Sequence, residues 1–203
     1  MNLKTIRDTV IATVGSDTEL QVADYNVFIN EGYTNIISKI LDERKDFFPD
    51  SEIIAVTASD LDVTPTKTWN NITLIQVDFG DGTGYQTLTK DSLENVTANG
   101  QTRLVYHLWG DVIYLPDFDK AFNMKIFGYV IPADLSGDSD TPTFSTLLHP
   151  LLIIWGVGRA VESHSASENF LDGGRKRTEF WEALEQILPS VIMKDMTNVR
   201  SLI

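Results

Sequence analysis

The 203-residue sequence contains no cysteine, only three histidines and no long hydrophobic run. The absence of cysteine excludes disulfides, thiol nucleophiles and cysteine-based metal sites. His107, His149 and His164 lie far apart and lack the spacing of a zinc site. The most apolar stretch, residues 147–157, is much shorter than the ~20 residues that a membrane-spanning helix needs. We therefore expect a soluble protein with no metal site and no membrane partner.

Basic residues are also scarce: 16 Lys and Arg residues face 29 Asp and Glu residues and leave a net charge of −13. A protein that binds nucleic acid through its phosphates needs the opposite balance. Lys4, Arg7 and Asp8 interrupt the N-terminal stretch, so we expect no secretion signal there. The 42% of hydrophobic residues and 22% of charged residues are close to the values of ordinary folded proteins. The composition predicts a globular protein that does not read nucleic-acid sequence.

Both ends of the chain have helical periodicity. Near the N-terminus, apolar residues recur every three or four positions over residues 3–14, and a second stripe covers residues 28–41. Toward the C-terminus, two further stripes predict helices over residues 148–162 and 175–188. Gly173-Gly174 predicts a break between these last two helices.

The middle of the chain has a different character. Residues 51–132 combine alternating apolar residues with turn residues and have few helix signals, so they predict strands, one of them at residues 85–89. The acidic segment 133–143 contains Gly, Ser and Pro, which is typical of a connector, and we expect it to have no buried face. Pro189 is expected to end the last helix.

These patterns together predict an α+β fold class, in which a helical bundle carries an inserted antiparallel β-rich module. The N-terminal helices and the C-terminal helices form the bundle. The expected order is N-terminal helices (1–50), β-rich insertion (51–132), acidic connector (133–143), C-terminal helices (144–189) and C-terminal arm (190–203).

The glycine-rich segment from Asp78 to Gly84 reads Asp-Phe-Gly-Asp-Gly-Thr-Gly. Asp-Phe-Gly also occurs in the magnesium loop of protein kinases, but the other kinase motifs are absent from the sequence. The spacing of an EF-hand calcium loop is absent too. The same residues resemble the turn of PKD-like immunoglobulin-type sandwiches, in which the motif is structural. We therefore interpret Asp78, Gly80, Asp81, Gly82 and Gly84 as a structural turn.

Sequence motifs for catalysis are weak. Gly156-Val157-Gly158 matches the first two glycines of a dinucleotide-binding fingerprint, but Val161 stands where the third glycine is needed, and the segment lies in a helical pattern. Ser163-His164-Ser165 places hydroxyl groups beside an imidazole, but without a nucleophile elbow this adjacency is not a catalytic triad. We expect no enzyme and no cofactor.

The candidate functional residues are therefore interface residues. Glycines inside a helix let a neighbouring helix or chain approach closely, and tryptophans are common anchors of interfaces. The basic cluster 175–177 is either a solvated stretch beside an acidic neighbour such as Glu179, or a contact to an acidic partner or to passing DNA. The C-terminal end is expected to order on docking. The expected interface residues are Trp155, Gly156, Gly158, Arg175, Lys176, Arg177, Trp181, Val199, Arg200, Ser201, Leu202 and Ile203.

Several motifs, taken in chain order, connect the sequence with a known family. Asn30-Glu31-Gly32-Tyr33 lies in the second helical stretch. The β-rich part contains Gly110-Asp111-Val112-Ile113-Tyr114-Leu115-Pro116 and Phe127-Gly128-Tyr129-Val130-Ile131-Pro132. An Asp140-Thr141-Pro142 connector precedes Leu147-Leu148-His149-Pro150-Leu151-Leu152, which opens a helix. Over most of its length the chain resembles head-to-tail adaptor proteins of podovirus-type tailed phages.

The resemblance implies a homo-oligomeric ring of twelve subunits that docks beneath the portal protein and connects the capsid to the tail. It also implies contacts with tail or neck proteins, and double-stranded DNA passing through the ring. The protein would be assembled in the host cytoplasm and reside at the portal vertex of the virion. The bundle would pack between neighbours, and the C-terminal arm would reach the portal. A different class stays open: a PKD-like or immunoglobulin-like module that binds protein or carbohydrate and is attached to a helical anchor.

Overall fold

The computed structural model describes residues 1–15, 20–58, 60–98, 103–163 and 167–200, without the side chains of 98, 167–171 and 194–200. This part of the chain contains five helices and two sheets, with 45% helix and 23% strand. The predicted α+β fold class is confirmed. The chain forms two compact units. We call residues 1–44 with 133–203 the helical unit, and residues 45–132 the β unit.

The helices are α1 (Leu3–Val14), α2 (Val22–Glu43), α3 (Leu93–Ala98, in the β unit), α4 (His149–Ser163) and α5 (Ser167–Arg200). In the helical unit, α4 is central and contacts α1, α2 and α5. Buried apolar residues occur along several sides of α4, whereas α1 buries only one stripe of its surface. The apolar periodicity of the sequence therefore determines which helix lies inside.

Local hydrogen bonds explain where the first helices begin. At the start of α1, Oδ1 of Asn2 accepts a hydrogen bond from the backbone N–H of Thr5 at 2.9 Å. At the start of α2, the backbone N–H of Gln21 donates to the carboxylate of Asp24 at 2.8 Å. Helix α4 tolerates Pro150 because a first-turn residue has no intrahelical N–H bond to lose.

The acidic connector is tied to the helical unit, and the expectation that it has no buried face is wrong. Leu135 is only 5% exposed. The side chain of Asn30 both donates to and accepts from the backbone of Leu135, at 2.9 Å each. The carbonyl oxygens of Asp138 and Asp140 accept from the first-turn N–H groups of α1. A short polar side chain on α2 and free helix-end donors thus order a segment that has no periodic pattern.

Helix α5 is continuous through two positions where the sequence predicts interruptions. The expected break at Gly173-Gly174 and the expected stop at Pro189 are both wrong. Gly173 is buried where α5 packs on α4, and this packing supports the helix there. Pro189 leaves the carbonyl of Glu185 without its helical donor, but both residues lie on the exposed face, where water can hydrate that carbonyl. Residues 190–200 of the expected arm therefore continue the helix, and residues 201–203 lie outside the described residues.

The described part of the β unit has eight strands in two four-stranded sheets, with strand orders β1-β8-β3-β4 and β2-β7-β6-β5. Both sheets contribute to one core, in which Ile75, Ile113, Met124 and Ile126 are fully buried. The strands are β1 (Pro49–Val56), β2 (Asp62–Val63), β3 (Trp69–Asp78), β4 (Gln86–Thr87), β5 (Thr89–Lys90), β6 (Val105–Trp109), β7 (Val112–Tyr114) and β8 (Phe122–Val130).

The pairing of β3 with β8 is irregular at one place. The register shifts twice, between Trp69 and Asn71 and again between Ile72 and Leu74. Gly128 of β8 lies opposite this irregularity, and a Cβ atom there would be 2.1 Å from the carbonyl oxygen of Asn71. A glycine is needed at this position because the bulged backbone approaches too closely for any side chain.

Four details of the β unit differ from the sequence prediction. The unit begins at Lys45, earlier than the expected boundary, because β1 starts at Pro49. The expected strand at 85–89 is divided: β4 pairs with β3, and β5 then joins the other sheet. There β5 pairs with β6 in parallel, so the module is not wholly antiparallel. Helix α3 was not expected, since six residues are too few to establish a helical period.

Candidate interaction surfaces

Glycines allow the other helices to pack closely on α4. A Cβ atom on Gly156 would lie 3.0 Å from Cγ2 of Val10 in α1. A Cβ atom on Gly158 would lie 3.1 Å from Cβ of Lys176 and 3.2 Å from the carbonyl oxygen of Gly173 in α5. These contacts are tighter than ordinary side-chain packing, so the glycines set the distances between the helices.

Trp155 packs against both α2 and α5. A Cβ atom on Gly32 of α2 would be 2.9 Å from Cδ1 of Trp155, and the ring centroid of Phe180 in α5 is 4.9 Å from that of Trp155. Trp155 is only 7% exposed, and Gly156 and Gly158 are buried as well. These three residues therefore take part in helix packing inside the helical unit, and all three are buried.

A groove of about 680 Å³ opens between α2, α4 and α5. Beside it, Trp181 is 39% exposed, and its ring stands edge-on to Trp155 at 6.2 Å. The adjacent Phe180 is fully buried, so of this neighbouring pair only Trp181 is open to a partner. The groove is lined by Val27, Asn30, Glu31, Thr34, Asn35, Asp134, Trp155, Arg159 and Arg177.

Four charged side chains along the groove alternate in sign and connect three helices. Nε of Arg159 is 2.6 Å from Oε2 of Glu31, and Nη1 of Arg159 is 3.2 Å from Oε2 of Glu162. Nε of Arg177 lies 2.8 Å from Oε1 of Glu162, whose side chain is only 5% exposed. The hydrogen bond to Glu31 raises the pKa of Arg159. Arg177 is thus engaged within the chain, as part of the bundle.

The rest of the basic cluster lies on the surface of α5. Nζ of Lys176 is 2.7 Å from the carboxylate of Glu179, which is the acidic neighbour that the solvated interpretation names. Nη1 of Arg175 is 3.6 Å from Asp172, and the Arg175 side chain is 83% exposed. Within the cluster, Arg175 is therefore the residue best placed to meet a partner.

The C-terminal candidates fall in two groups. Val199 and Arg200 lie in α5, and their side chains are not described. Ser201, Leu202 and Ile203 lie outside the described residues.

The glycine-rich segment between β3 and β4 forms a turn held by its own side chains. Oδ1 of Asp78 accepts from the N–H of Gly80 at 2.9 Å, and Oδ1 of Asp81 accepts from the N–H of Thr83 at 3.0 Å. The side-chain and backbone hydrogen bonds from Thr83 lower the pKa of Asp81. Gly80, Gly82 and Gly84 have φ angles of 68°, 86° and 73°, which glycine adopts without strain.

The described residues offer little for metal binding. No three His, Asp or Glu side chains among them are arranged to hold a metal ion. His149 is buried, and burial lowers its pKa, with a further contribution from the positively charged amino group of Met1, 2.8 Å from Nδ1. Nε2 of His149 lies 3.4 Å from the carbonyl oxygen of Phe144, so both ring nitrogens are occupied within the fold. His164 lies outside the described residues.

In the part of the chain that the structure describes, no helix is long and apolar enough to cross a membrane.

The β unit has a surface that the sequence motifs did not identify. In the β6–β7 hairpin, His107 is opposite Tyr114, and Trp109 is opposite Val112. These four residues share the face that points away from the core, because Leu108 and Ile113 between them pack inward. We call the four residues, with Asp62 beside Tyr114 on β2, the aromatic face. The signal in the sequence is the alternation on either side of the Gly110 turn, whose φ angle is 60°.

Two comparisons with known proteins found no match. No protein-family model matches this chain, and no curated protein sequence matches it.

Proposed function

We propose that the protein is a head-to-tail adaptor of a tailed phage, a structural ring subunit that docks beneath the portal and connects the capsid to the tail. The observation that supports this most is the order of the fold. A helical unit made of both ends of the chain is interrupted by a β unit, and the motifs that resemble the adaptor family follow one another across both. The resemblance supplies the partners: neighbouring copies, the portal, and tail or neck proteins.

The surface of the helical unit supports a role in assembly. The groove between α2, α4 and α5, Trp181 beside it and Arg175 on α5 form an open set of apolar and charged groups. Such a mixture of an aromatic anchor and peripheral charges is typical of protein interfaces. In the proposed ring, this surface faces a neighbouring copy.

The net charge of −13 also suits a component of a DNA channel. Carboxylates repel the phosphates of passing DNA, so they keep DNA from adhering to the channel wall. The proposed role is that of a structural protein without a cofactor.

Deletion of residues 198–203 tests the proposed arm. If the arm reaches the portal, the full chain co-sediments with purified portal rings of the same phage, and the shortened chain does not. A matched control instead changes Thr13, an exposed residue of α1 outside the groove (Thr13→Ala), which leaves the arm intact. If neither the full chain nor the control binds portal rings, the adaptor proposal is wrong.

A second candidate is a PKD-like or immunoglobulin-like binding module on a helical anchor. The observation that favours it is that the β unit has a hydrophobic core of its own, made by both sheets. A domain with its own core folds alone. This candidate predicts that the isolated fragment 45–132 unfolds in one cooperative thermal transition. It also predicts that the full chain does not bind portal rings. A fragment that does not fold contradicts the module.

A further inference from the structure

We propose that the aromatic face of the β unit binds an arginine- or lysine-bearing segment of a partner protein. The inference does not rest on the adaptor proposal, since it uses only the β6–β7 hairpin, its neighbour β2 and the charge of the β unit. Three features of the β unit support binding of a cation: the exposed Trp109 ring, the carboxylate of Asp62 beside Tyr114, and the net negative charge of the unit.

The aromatic face presents one exposed ring, Trp109, and two half-buried rings, His107 and Tyr114, on paired strands. Trp109 is 67% exposed, the highest value among the exposed tryptophans and tyrosines of the described residues. The ring centroids of His107 and Tyr114 are 6.5 Å apart, and Nδ1–H of His107 donates to the carbonyl oxygen of Asp91 at 2.8 Å. The pairing of β6 with β7, together with Ile113 in the core, fixes the strands beneath the rings. Exposed aromatic rings held in place bind cations through their π faces with little loss of entropy.

A carboxylate lies next to these rings. Asp62 of β2 is paired with Tyr114, so their side chains are on the same side of the sheet. Asp62 is exposed, and in the described part of the chain no ion pair engages it. A guanidinium or ammonium group over the rings therefore has an anionic partner at the edge of the same face.

The net negative charge of the β unit as a whole favours a cation over other ligands. Between Lys45 and Pro132 the sequence has six Lys and Arg residues and twelve Asp and Glu residues. This excess of acidic residues repels nucleic acid and attracts basic segments. A neutral sugar gains stacking on the rings but nothing from the surrounding charge. Arginine gains from both, because its planar group stacks on aromatic rings and pairs with a carboxylate at once.

The test uses the full chain and a synthetic peptide of alternating Arg and Gly, with a matched peptide in which citrulline replaces arginine. Citrulline keeps the shape of arginine but not its charge. We expect the arginine peptide to shift the indole N–H signal of Trp109 in nitrogen-15 NMR spectra, with that signal assigned from a Trp109→Phe variant. Binding of the citrulline peptide is expected to be at least about tenfold weaker.

Two variants and one matched control place the peptide on the aromatic face. Trp109→Ala removes the most exposed ring and is expected to weaken binding about tenfold, and Asp62→Asn several-fold. Asp119→Asn removes the same charge from another exposed carboxylate, next to the Phe79 end of β3, and is expected to change binding less than twofold. Circular dichroism checks that each variant is folded.

Several results would overturn the proposal. Equal binding of the arginine and citrulline peptides would show that the aromatic face does not recognise the positive charge of arginine. An equal loss in Asp62→Asn and Asp119→Asn shows general attraction to an acidic protein. A shift of other indole signals without that of Trp109 places the peptide elsewhere. Binding of a neutral oligosaccharide such as maltoheptaose, lost in Trp109→Ala while the arginine peptide does not bind, assigns the face to sugars instead.

Discussion

At the scale of single residues, the helical unit depends on positions where a side chain cannot fit. Gly173 and Gly174 are neighbours in α5 and look the same in the sequence. A Cβ atom on Gly173 would lie 2.3 Å from Cγ of Glu162 and 2.7 Å from the carbonyl oxygen of Gly158. A Cβ atom on Gly174 would have no neighbour within 4 Å. Only the first glycine is therefore required by packing.

This difference gives a matched pair of variants. Gly173→Ala is expected to lower the free energy of unfolding of the helical unit by about 1–3 kcal/mol, because α4 and α5 must separate. Gly174→Ala is expected to raise it by up to about 1 kcal/mol, because alanine favours the helix more than glycine does. Urea unfolding followed by circular dichroism at the helical minimum measures both. Similar effects in the two variants would contradict the packing described for Gly173.

His149 gives the helical unit a dependence on pH. Its folded-state pKa is lowered, chiefly by burial and also by the amino group of Met1. Below about pH 6.5 the unfolded chain therefore takes up a proton that the folded chain does not, and stability is lost as the pH falls from that value. Several carboxylates with lowered pKa values, such as Asp138 and Asp140, act in the same direction but below about pH 4.

The expected result is a loss of stability between pH 7 and pH 5 that is smaller in His149→Gln than in the natural chain. Urea unfolding at a series of pH values measures it, and comparing the two slopes removes the other titrating groups, which both proteins share. Only the pH slopes are compared, so a difference in overall stability between the variant and the natural chain does not affect the result. Identical slopes would show that His149 is not the group responsible.

At the scale of elements, the connector 133–143 depends on a side chain of α2. Asn30→Ala removes both hydrogen bonds to the backbone of Leu135, so the connector is expected to be cleaved several-fold faster in limited proteolysis. Asn35→Ala is the control, since Asn35 lies on the same helix and lines the groove without bonding the connector. Equal cleavage rates in the two variants would mean that Asn30 does not order the connector.

The helices and strands also show which parts of the fold can be predicted from sequence patterns. The stripes of α1 and α4 were predictable because a buried face repeats every three or four residues, and Leu3, Ile6 and Val10 are all fully buried. The continuity of α5 was not predictable, because it depends on packing at Gly173 and on the exposure of Pro189. The strand at 85–89 was predictable as extended chain, but its division between two sheets depends on pairing partners distant in sequence.

The candidate sites likewise divide into features that the local sequence determines and features that depend on tertiary contacts. The turn from Asp78 to Gly84 could be predicted because its glycines and Asp side chains act locally. The helical stripe predicted packing for Trp155, but not whether its partner is a helix of the same chain or of a neighbouring chain, since both kinds of tryptophan look the same in the sequence. The aromatic face needed the register of β2, β7 and β6, which no local pattern gives.

At the scale of the whole molecule, the chain has two units, and we assign a separate role to each. The helical unit, with its groove and Trp181, is assigned to neighbouring copies in the proposed ring. The β unit, with its own core and its aromatic face, is assigned to a basic segment of another protein. A variant of the aromatic face is therefore expected to leave ring formation unchanged.

The measurement that tests the central proposal most directly is native mass spectrometry of the full chain, alone and mixed with purified portal rings of the same phage. We predict a complex with about one copy of the chain per portal subunit, because each copy of a closed ring meets an equivalent site. A chain that remains a compact monomer and leaves the portal rings unoccupied would contradict the adaptor function.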